Sequence, residues 1–199
     1  MSKYIGCYHM GVEVRSTALS SVFILVPERF GDDRGFFEES WNASALVEFG
    51  IEISFVQDNH SYSKELGTLR GLHYQSHPHA QDKLVRCTSG AIFDVAVDIR
   101  KGSRTYGQWV GVELSGENGQ QLLIPKGFLH GFVTLMPETE VQYKCSDNYA
   151  PQCDGSVLWS SLGIDWPLPD GVLPKLSAKD EDAQSFEDFD SPFLWENKI

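Results

Sequence analysis

From Val22 onward, short runs rich in β-branched and aromatic residues alternate with turn signals: "VFILVP", then "FGDDRG", then "FFEESW". Further strand-like runs follow in "ISFVQDNHSYS", "TLRGLHYQ", "KLVRCTSG", "AIFDVAVDIR", "GQWVGVELS", "QQLLIPKG", "HGFVTLM" and "EVQYKCSDNY". In "AIFDVAVDIR", Phe93, Val95, Val97 and Ile99 share one face, and Asp94, Ala96 and Asp98 the other. One short helix is predicted in "NASALVEFG", with Asn42 or Ser40 as N-cap and Gly50 as the stop. Many short strands at roughly ten-residue spacing, separated by Gly and Asn-Gly turns, predict an all-β sandwich or barrel with few helices. Residues 1–21 show no sustained periodicity and read as a loose arm or an added strand. The body runs from 22 to 166. Residues 167–199 are Pro-rich and then acidic, which predicts a turn and a short helix packed over the rim, with a disordered tail as the alternative.

A length of 199 residues suits one such domain, and 41% hydrophobic residues supply a core. The formal net charge of -12 argues against nucleic acid or an anionic membrane surface as partner. An anionic small ligand stays compatible, provided a few Arg and Lys residues converge on it. The four cysteines, Cys7, Cys87, Cys145 and Cys153, form no CxxC pair and read as free thiols in a reducing compartment. "VFILV" is too short for a signal h-region or a membrane span. The expected location is cytoplasmic.

Three histidines crowd "LHYQSHPHAQDK": His73, His77 and His79; a fourth, His130, stands in "IPKGFLHGF". Pro125, Gly127 and His130 fit P-x-G-x-x-H, the second half-motif of the cupin jelly rolls. A metal-binding cupin would use His77 and His79 as an HxH pair, with Asp82 as the carboxylate. Pro78 breaks the strand alternation that would aim both rings inward, and Lys83 opposes a divalent ion. No metal is expected, and His77 and His79 read as turn residues. His73 lies inside a strand, with Arg70 before it and Gln75 on its own face.

Eight stretches together resemble the dTDP-4-dehydrorhamnose 3,5-epimerases, sugar-nucleotide epimerases of the cupin class. They are "FGDDRGFFEESW", "FVQDNHSYS", "LRGLHYQ", "QDKLVRC", "IFDVAVDIRKGSRTYGQWVGVELS", "IPKGFLHGFVTL", "EVQYKCSDNYAP" and "LSAKD", in the family's order. The resemblance implies a jelly roll and a cofactor-free isomerase acting on a dTDP-linked 4-keto-6-deoxy sugar. A C4 ketone acidifies the C3 and C5 hydrogens, so inversion needs a base, an acid on the opposite face, and a donor near the enolate oxygen. By resemblance His73 is the base, Asp180 its orienting carboxylate, Tyr143 the far-face acid and Lys83 the enolate donor. Arg34, Glu39, Gln57, Asp58, Asn59, Arg70, His130, Asp154 and Lys179 would bind the substrate, and Tyr149 would stack on thymine. Arg34, Arg70 and Lys179 would reconcile an acidic protein with a diphosphate.

The chain departs from the family pattern at Asn148, where some members carry a second aromatic, and in its longer N-terminal arm. Inversion at C3 alone or C5 alone stays open, since such relatives share the His–Asp pair and the Tyr. Two readings of other classes also stand: a metal-dependent cupin enzyme and a non-catalytic sugar-nucleotide-binding jelly roll. The joint presence of His73, Asp180 and Tyr143 speaks against mere binding, which needs no acid. The family usually forms strand-exchanged homodimers. A homodimer is therefore expected, with residues 22–41 against the partner and Arg34 and Glu39 lent to its site.

Overall fold

A computed structural model gives the backbone of residues 7–9 and the whole of residues 11–195. The Cys7 thiol, residues 1–6 and 10 of the arm, and residues 196–199 lie outside the described residues. The first strands are β1 (Cys7–His9), β2 (Val12–Ser16), β3 (Phe23–Pro27), β4 (Arg29–Asp32), β5 (Gly35–Glu38), β6 (Gln57–Ser63), β7 (Leu69–Gln75) and β8 (Lys83–Ser89). They continue with β9 (Ala91–Asp98), β10 (Arg100–Lys101), β11 (Trp109–Ser115), β12 (Gln121–Ile124), β13 (Phe128–Thr134), β14 (Thr139–Cys145), β15 (Asp154–Ser156) and β16 (Phe193–Leu194). The two short α-helices are α1 (Ala43–Leu46) and α2 (Ala178–Glu181).

Two sheets form a sandwich rather than a closed barrel. One has seven strands in the order β1-β2-β3-β12-β8-β14-β6; the other has five, β11-β9-β13-β7-β15. Between them lies a core that includes Val85, Cys87, Ile92, Ala96, Leu122, Phe128, Phe132 and Val141. The early segment is an added β-hairpin, since β2 pairs with β3 in register Val14↔Leu25. Asn42 caps α1 by accepting from the Ser44 and Ala45 amides, and Gly50 ends the helical stretch at φ +71°, a conformation glycine adopts without steric cost.

The outer face of each sheet is also covered. Leu46 and Ile51 pack with Leu25, Leu84 and Leu123 on the seven-stranded sheet. On the five-stranded sheet Val95, Val97 and Ile99 pack with Phe189 and Phe193 of the C-terminal segment. That segment therefore does more than cap a rim: its end, β16, pairs parallel with β10. The apolar face of β9 thus points outward under this cover. Its other face, carrying Ile92, Asp94 and Ala96, points between the sheets. This places two buried carboxylates, Asp94 and Asp98, inside the protein.

The β7–β13 pair has a local irregularity between His130 and Phe132. There Gly71 (φ +125°) and Gly131 come so close that a Cβ on Gly71 would sit 2.6 Å from the Gly131 Cα. Only glycine allows that approach. Immediately beyond it, His73 and His130 are register partners.

Candidate active site

At one end of the sandwich the interior opens into a cavity of about 410 Å³, lined by residues that include Arg70, His73, Lys83, His130, Tyr143 and Asp180. A second cavity of about 370 Å³ shares His73, Lys83 and Tyr143 with it and continues to Gln57, Asn59, Tyr149, Asp154 and Lys179. Strand alternation explains the convergence. His73 and His130 point inward from β7 and β13 of the five-stranded sheet, while Lys83 and Tyr143 point inward from β8 and β14 of the seven-stranded sheet. His73 and Tyr143 therefore stand on facing walls. The His130 and Tyr143 rings lie 6.4 Å apart across the gap.

His73 Nε2 is 2.6 Å from Asp180 Oδ1. Asp180 is 3% exposed and sits in α2, where Ser177 Oγ donates to its Oδ2 at 2.8 Å and Gly71 N–H also donates to the carboxylate. Burial pushes this carboxyl up, but the bonds from His73, Ser177 and Gly71 outweigh it and hold it below the usual carboxylate range. An ionised carboxylate only accepts, so Nε2 of His73 carries the hydrogen, and in the neutral ring the lone pair is on Nδ1.

Behind this pair, His130 Nε2 lies 2.7 Å from Asp94 Oδ1, and both groups are buried. Burial drives the Asp94 carboxyl up and the His130 imidazole down, each opposed by the other member of the pair. Among the described residues Asp94 Oδ2 has no hydrogen-bond partner. Burial also lowers the Lys83 ammonium below the ordinary lysine range, opposed chiefly by Cys145, Asp154 and Asp94. Tyr143 moves the other way: burial raises its phenol, so it holds its proton more firmly than an exposed tyrosine.

Most of the expected binding residues join this cleft. Arg70 reaches the Tyr62 carbonyl at 3.2 Å and Ser63 Oγ at 3.4 Å, and lines the cavity. Gln57 donates to Asn59 Oδ1 at 3.0 Å. Tyr149, 58% exposed, donates its hydroxyl to Asp154 Oδ2 at 3.1 Å, and Lys179 Nζ meets the same oxygen at 2.5 Å.

Three expected residues do not join it within this chain. Asp58 falls between Gln57 and Asn59 on β6, so the period-two pleat turns it to the opposite face, where it binds Lys144 at 2.9 Å. Arg34 and Glu39 belong to the β4–β5 hairpin and its exit. The Arg34 side chain is 89% exposed and pairs with Asp32 at 2.5 Å, and Glu39 accepts from Asn42 at 2.9 Å. The hairpin itself presents Phe30, Phe36 and Phe37 at 57%, 58% and 69% exposure.

The other two histidines of the crowded stretch are engaged separately. His77 packs its ring 5.5 Å from that of Phe193, and His79 Nδ1 approaches Asp147 at 3.4 Å. Asp82 is committed to Ser146 Oγ at 2.9 Å and the Lys126 amide at 3.1 Å.

Sequence reasoning did not anticipate Asp94 or Ser177 as members of the site. Asp94 lacked a distinguishing signal, since alternation alone does not say which face of its strand is the interior. Ser177 could have been found, because "SAKD" has the spacing of a capping box ending in the carboxylate that matters.

Comparison with known proteins places this geometry in context. The family model described as dTDP-4-dehydrorhamnose 3,5-epimerase matches residues 16–188. A dTDP-4-dehydrorhamnose 3,5-epimerase of Salmonella typhimurium is 56% identical over 170 residues, covering 84% of this chain and 91% of the relative. The crystal structure of an enzyme so named from Bacillus anthracis, with TDP and PPi bound, is 49% identical with a TM-score of 0.84, covering 87% of this chain and 99% of that one. A dTDP-6-deoxy-D-glucose-3,5-epimerase from Legionella pneumophila, in complex with dTDP-4-keto-L-rhamnose, is 46% identical with a TM-score of 0.88. There the coverage is 93% and 99%.

Proposed function

Because the chain belongs to the dTDP-4-dehydrorhamnose 3,5-epimerase family, we propose that it inverts both C3 and C5 of dTDP-4-dehydro-6-deoxy-D-glucose through the residues of this cleft. It is an isomerase of cupin-type fold, and its product is dTDP-4-dehydro-L-rhamnose. The observation that carries the assignment of roles is the His73–Asp180 pair on one wall facing Tyr143 on the other.

In this reading His73 Nδ1 takes the proton from the carbon next to the C4 ketone, and the electron pair moves onto the C4 oxygen. Lys83 donates a hydrogen bond to that developing enolate, with His130 nearby. Tyr143 then delivers a proton to the opposite face. Each inversion leaves one proton on His73 and removes one from Tyr143, so both groups are reset by exchange with solvent before the second carbon is treated. The ketone supplies the acidity, and the carbon skeleton neither gains nor loses electrons. Asp180 holds the imidazole in the working tautomer and stabilises the imidazolium that forms.

Tyr149 stacks on thymine in this reading, while Arg70 and Lys179 face the diphosphate and Gln57, Asn59 and Asp154 line the approach. Arg34 and Glu39 serve the site of a second copy of the chain. What supports this is the β4–β5 hairpin, which exposes three phenylalanines and holds both residues away from their own cavity. A twofold homodimer covers such a surface. A cytoplasmic location is supported by the free thiols of Cys87, Cys145 and Cys153. Among the described residues, no helix is long and apolar enough to cross a membrane.

The test is incubation with the dTDP-4-keto-6-deoxy-glucose in heavy water, read by NMR. Deuterium is expected at both C3 and C5 with inversion at each. Label at one carbon alone would assign a mono-epimerase, and none at either would overturn the reading.

A further inference from the structure

We propose that Gln75 is a positioning residue for the nucleotide end of the substrate, acting through Tyr149. Gln75 ends β7, two residues after His73, and its side chain is buried at 6% exposure. Its Oε1 accepts from the Ala150 amide at 2.9 Å, and its Nε2 donates to the Asn148 carbonyl at 3.0 Å and to the His79 carbonyl. One carboxamide thus grips the backbone on both sides of Tyr149. The Tyr149 amide itself donates to Gln57 Oε1 at 2.9 Å, and Gln81 Nε2 holds the Asp147 carbonyl at 2.8 Å.

The consequence is geometric. Tyr149 is exposed, and apart from the bond of its hydroxyl to Asp154 its ring position depends on the backbone beneath it. Gln75 ties that backbone to the strand that carries His73. Among the anchors of this loop, this buried amide is the one that ties the base-stacking ring directly to the strand of the proton-abstracting imidazole. A glutamate here keeps one acceptor for Ala150 but sets a second oxygen against two carbonyls, which cannot donate. The loop would be released without touching His73, Asp180 or Tyr143.

This inference rests on the reading of Tyr149 as the thymine stack, and a double-mutant cycle separates the two. Calorimetric titration with dTDP alone would be run on the wild type, Gln75→Glu, Tyr149→Ala and the double variant. Gln75→Met, which keeps the volume and loses all three bonds, would be carried in parallel in case the glutamate fails to fold. Tyr149→Ala is expected to weaken dTDP binding on the order of tenfold, the usual size of a lost base stack. The Gln75 variants should weaken it comparably, and the double variant no further than Tyr149→Ala. In turnover, Gln75 variants should raise KM far more than they lower kcat. Effects that multiply, or an equal fall in kcat, would make Gln75 a merely structural residue. Weak binding by Tyr149→Ala with wild-type binding by both Gln75 variants would overturn the role of Gln75 alone. Wild-type binding by Tyr149→Ala would overturn the stack and, with it, this role.

Discussion

His73 and Asp180 meet at 2.6 Å although 107 residues separate them in the chain. The meeting needs the C-terminal segment to return across the sheet, where α2 delivers the carboxylate and Ser177 and Gly71 fix it. The contact therefore measures the integrity of the whole cover as well as the tuning of one imidazole.

Replacing His73 by Ala should abolish deuterium incorporation at both carbons, with a fall in rate on the order of 10² to 10⁴. Asp180→Asn should also lose activity, because an amide can face Nε2 with its own N–H groups and turn the tautomer around. Comparing exchange rates of the two variants by NMR checks this. More than about a tenth of the wild-type rate in His73→Ala would remove it as the base.

Tyr143→Phe separates proton removal from inversion. The base, the Lys83 donor and the nucleotide grip all remain, so the enolate should form and regain its proton from His73 on the side it left. Recovered substrate should carry deuterium with its original configuration, while inverted product falls on the order of 100-fold. Parallel loss of exchange and inversion would make Tyr143 a positioning residue instead.

Lys83 gives a pH prediction. Burial lowers its ammonium, so the proton leaves at a lower pH than from an ordinary lysine, and the positive donor is lost as pH rises. The alkaline limb of kcat/KM should therefore begin below the usual lysine range, whereas Tyr143, shifted upward, is still protonated there. Lys83→Arg should move that limb to higher pH whatever its effect on the plateau, since guanidinium does not titrate in this range. An unmoved limb would assign it to another group.

The homodimer reading predicts rescue between two inactive variants. His73→Ala and Arg34→Ala each disable a different half of a shared site. After subunit exchange, one site of each mixed dimer combines an intact His73 with an intact Arg34. Random mixing should then restore about a quarter of wild-type activity. No recovery despite proven exchange would show that Arg34 acts within its own chain or not at all.

His77→Ala and His79→Ala should be near neutral in the deuterium assay, with and without EDTA. His77 touches the Phe193 ring and His79 faces Asp147, both away from the cavity that holds His73. A loss beyond about fivefold in either variant would count against their reading as turn residues.

The strands, the capped helix and the half-motif around His130 were legible because each depends on local pattern: alternation, an N-cap and turn glycines. The roles of His73, Tyr143 and Asp180 came from the ordered resemblance, since the one local mark on Asp180, its capping-box spacing from Ser177, carries no sign of catalysis. Asp58 shows the limit of reading a run as a unit; the pleat splits Gln57, Asp58 and Asn59 between two faces. Alternation in β9 separates two faces without saying which one is the interior. The C-terminal segment covers its apolar side, so its polar side becomes the interior and buries Asp94. Pattern also does not say which side chains an exposed hairpin holds away from the cavity, as β4–β5 and its exit do with Arg34 and Glu39.

The contact between Gly71 and Gly131 sets the spacing of the two histidines by the absence of side chains. That spacing has no adjustable part. A larger residue at either position would push whole strands apart, and no smaller one exists. Any broadening of the substrate range, by selection or in the laboratory, is thereby steered to the opposite wall. There the side chains around Lys83 and Tyr143, Asn59 among them, can be exchanged for others without moving the backbone. The histidine wall acts as a fixed jaw and the seven-stranded sheet as the one that can be re-cut.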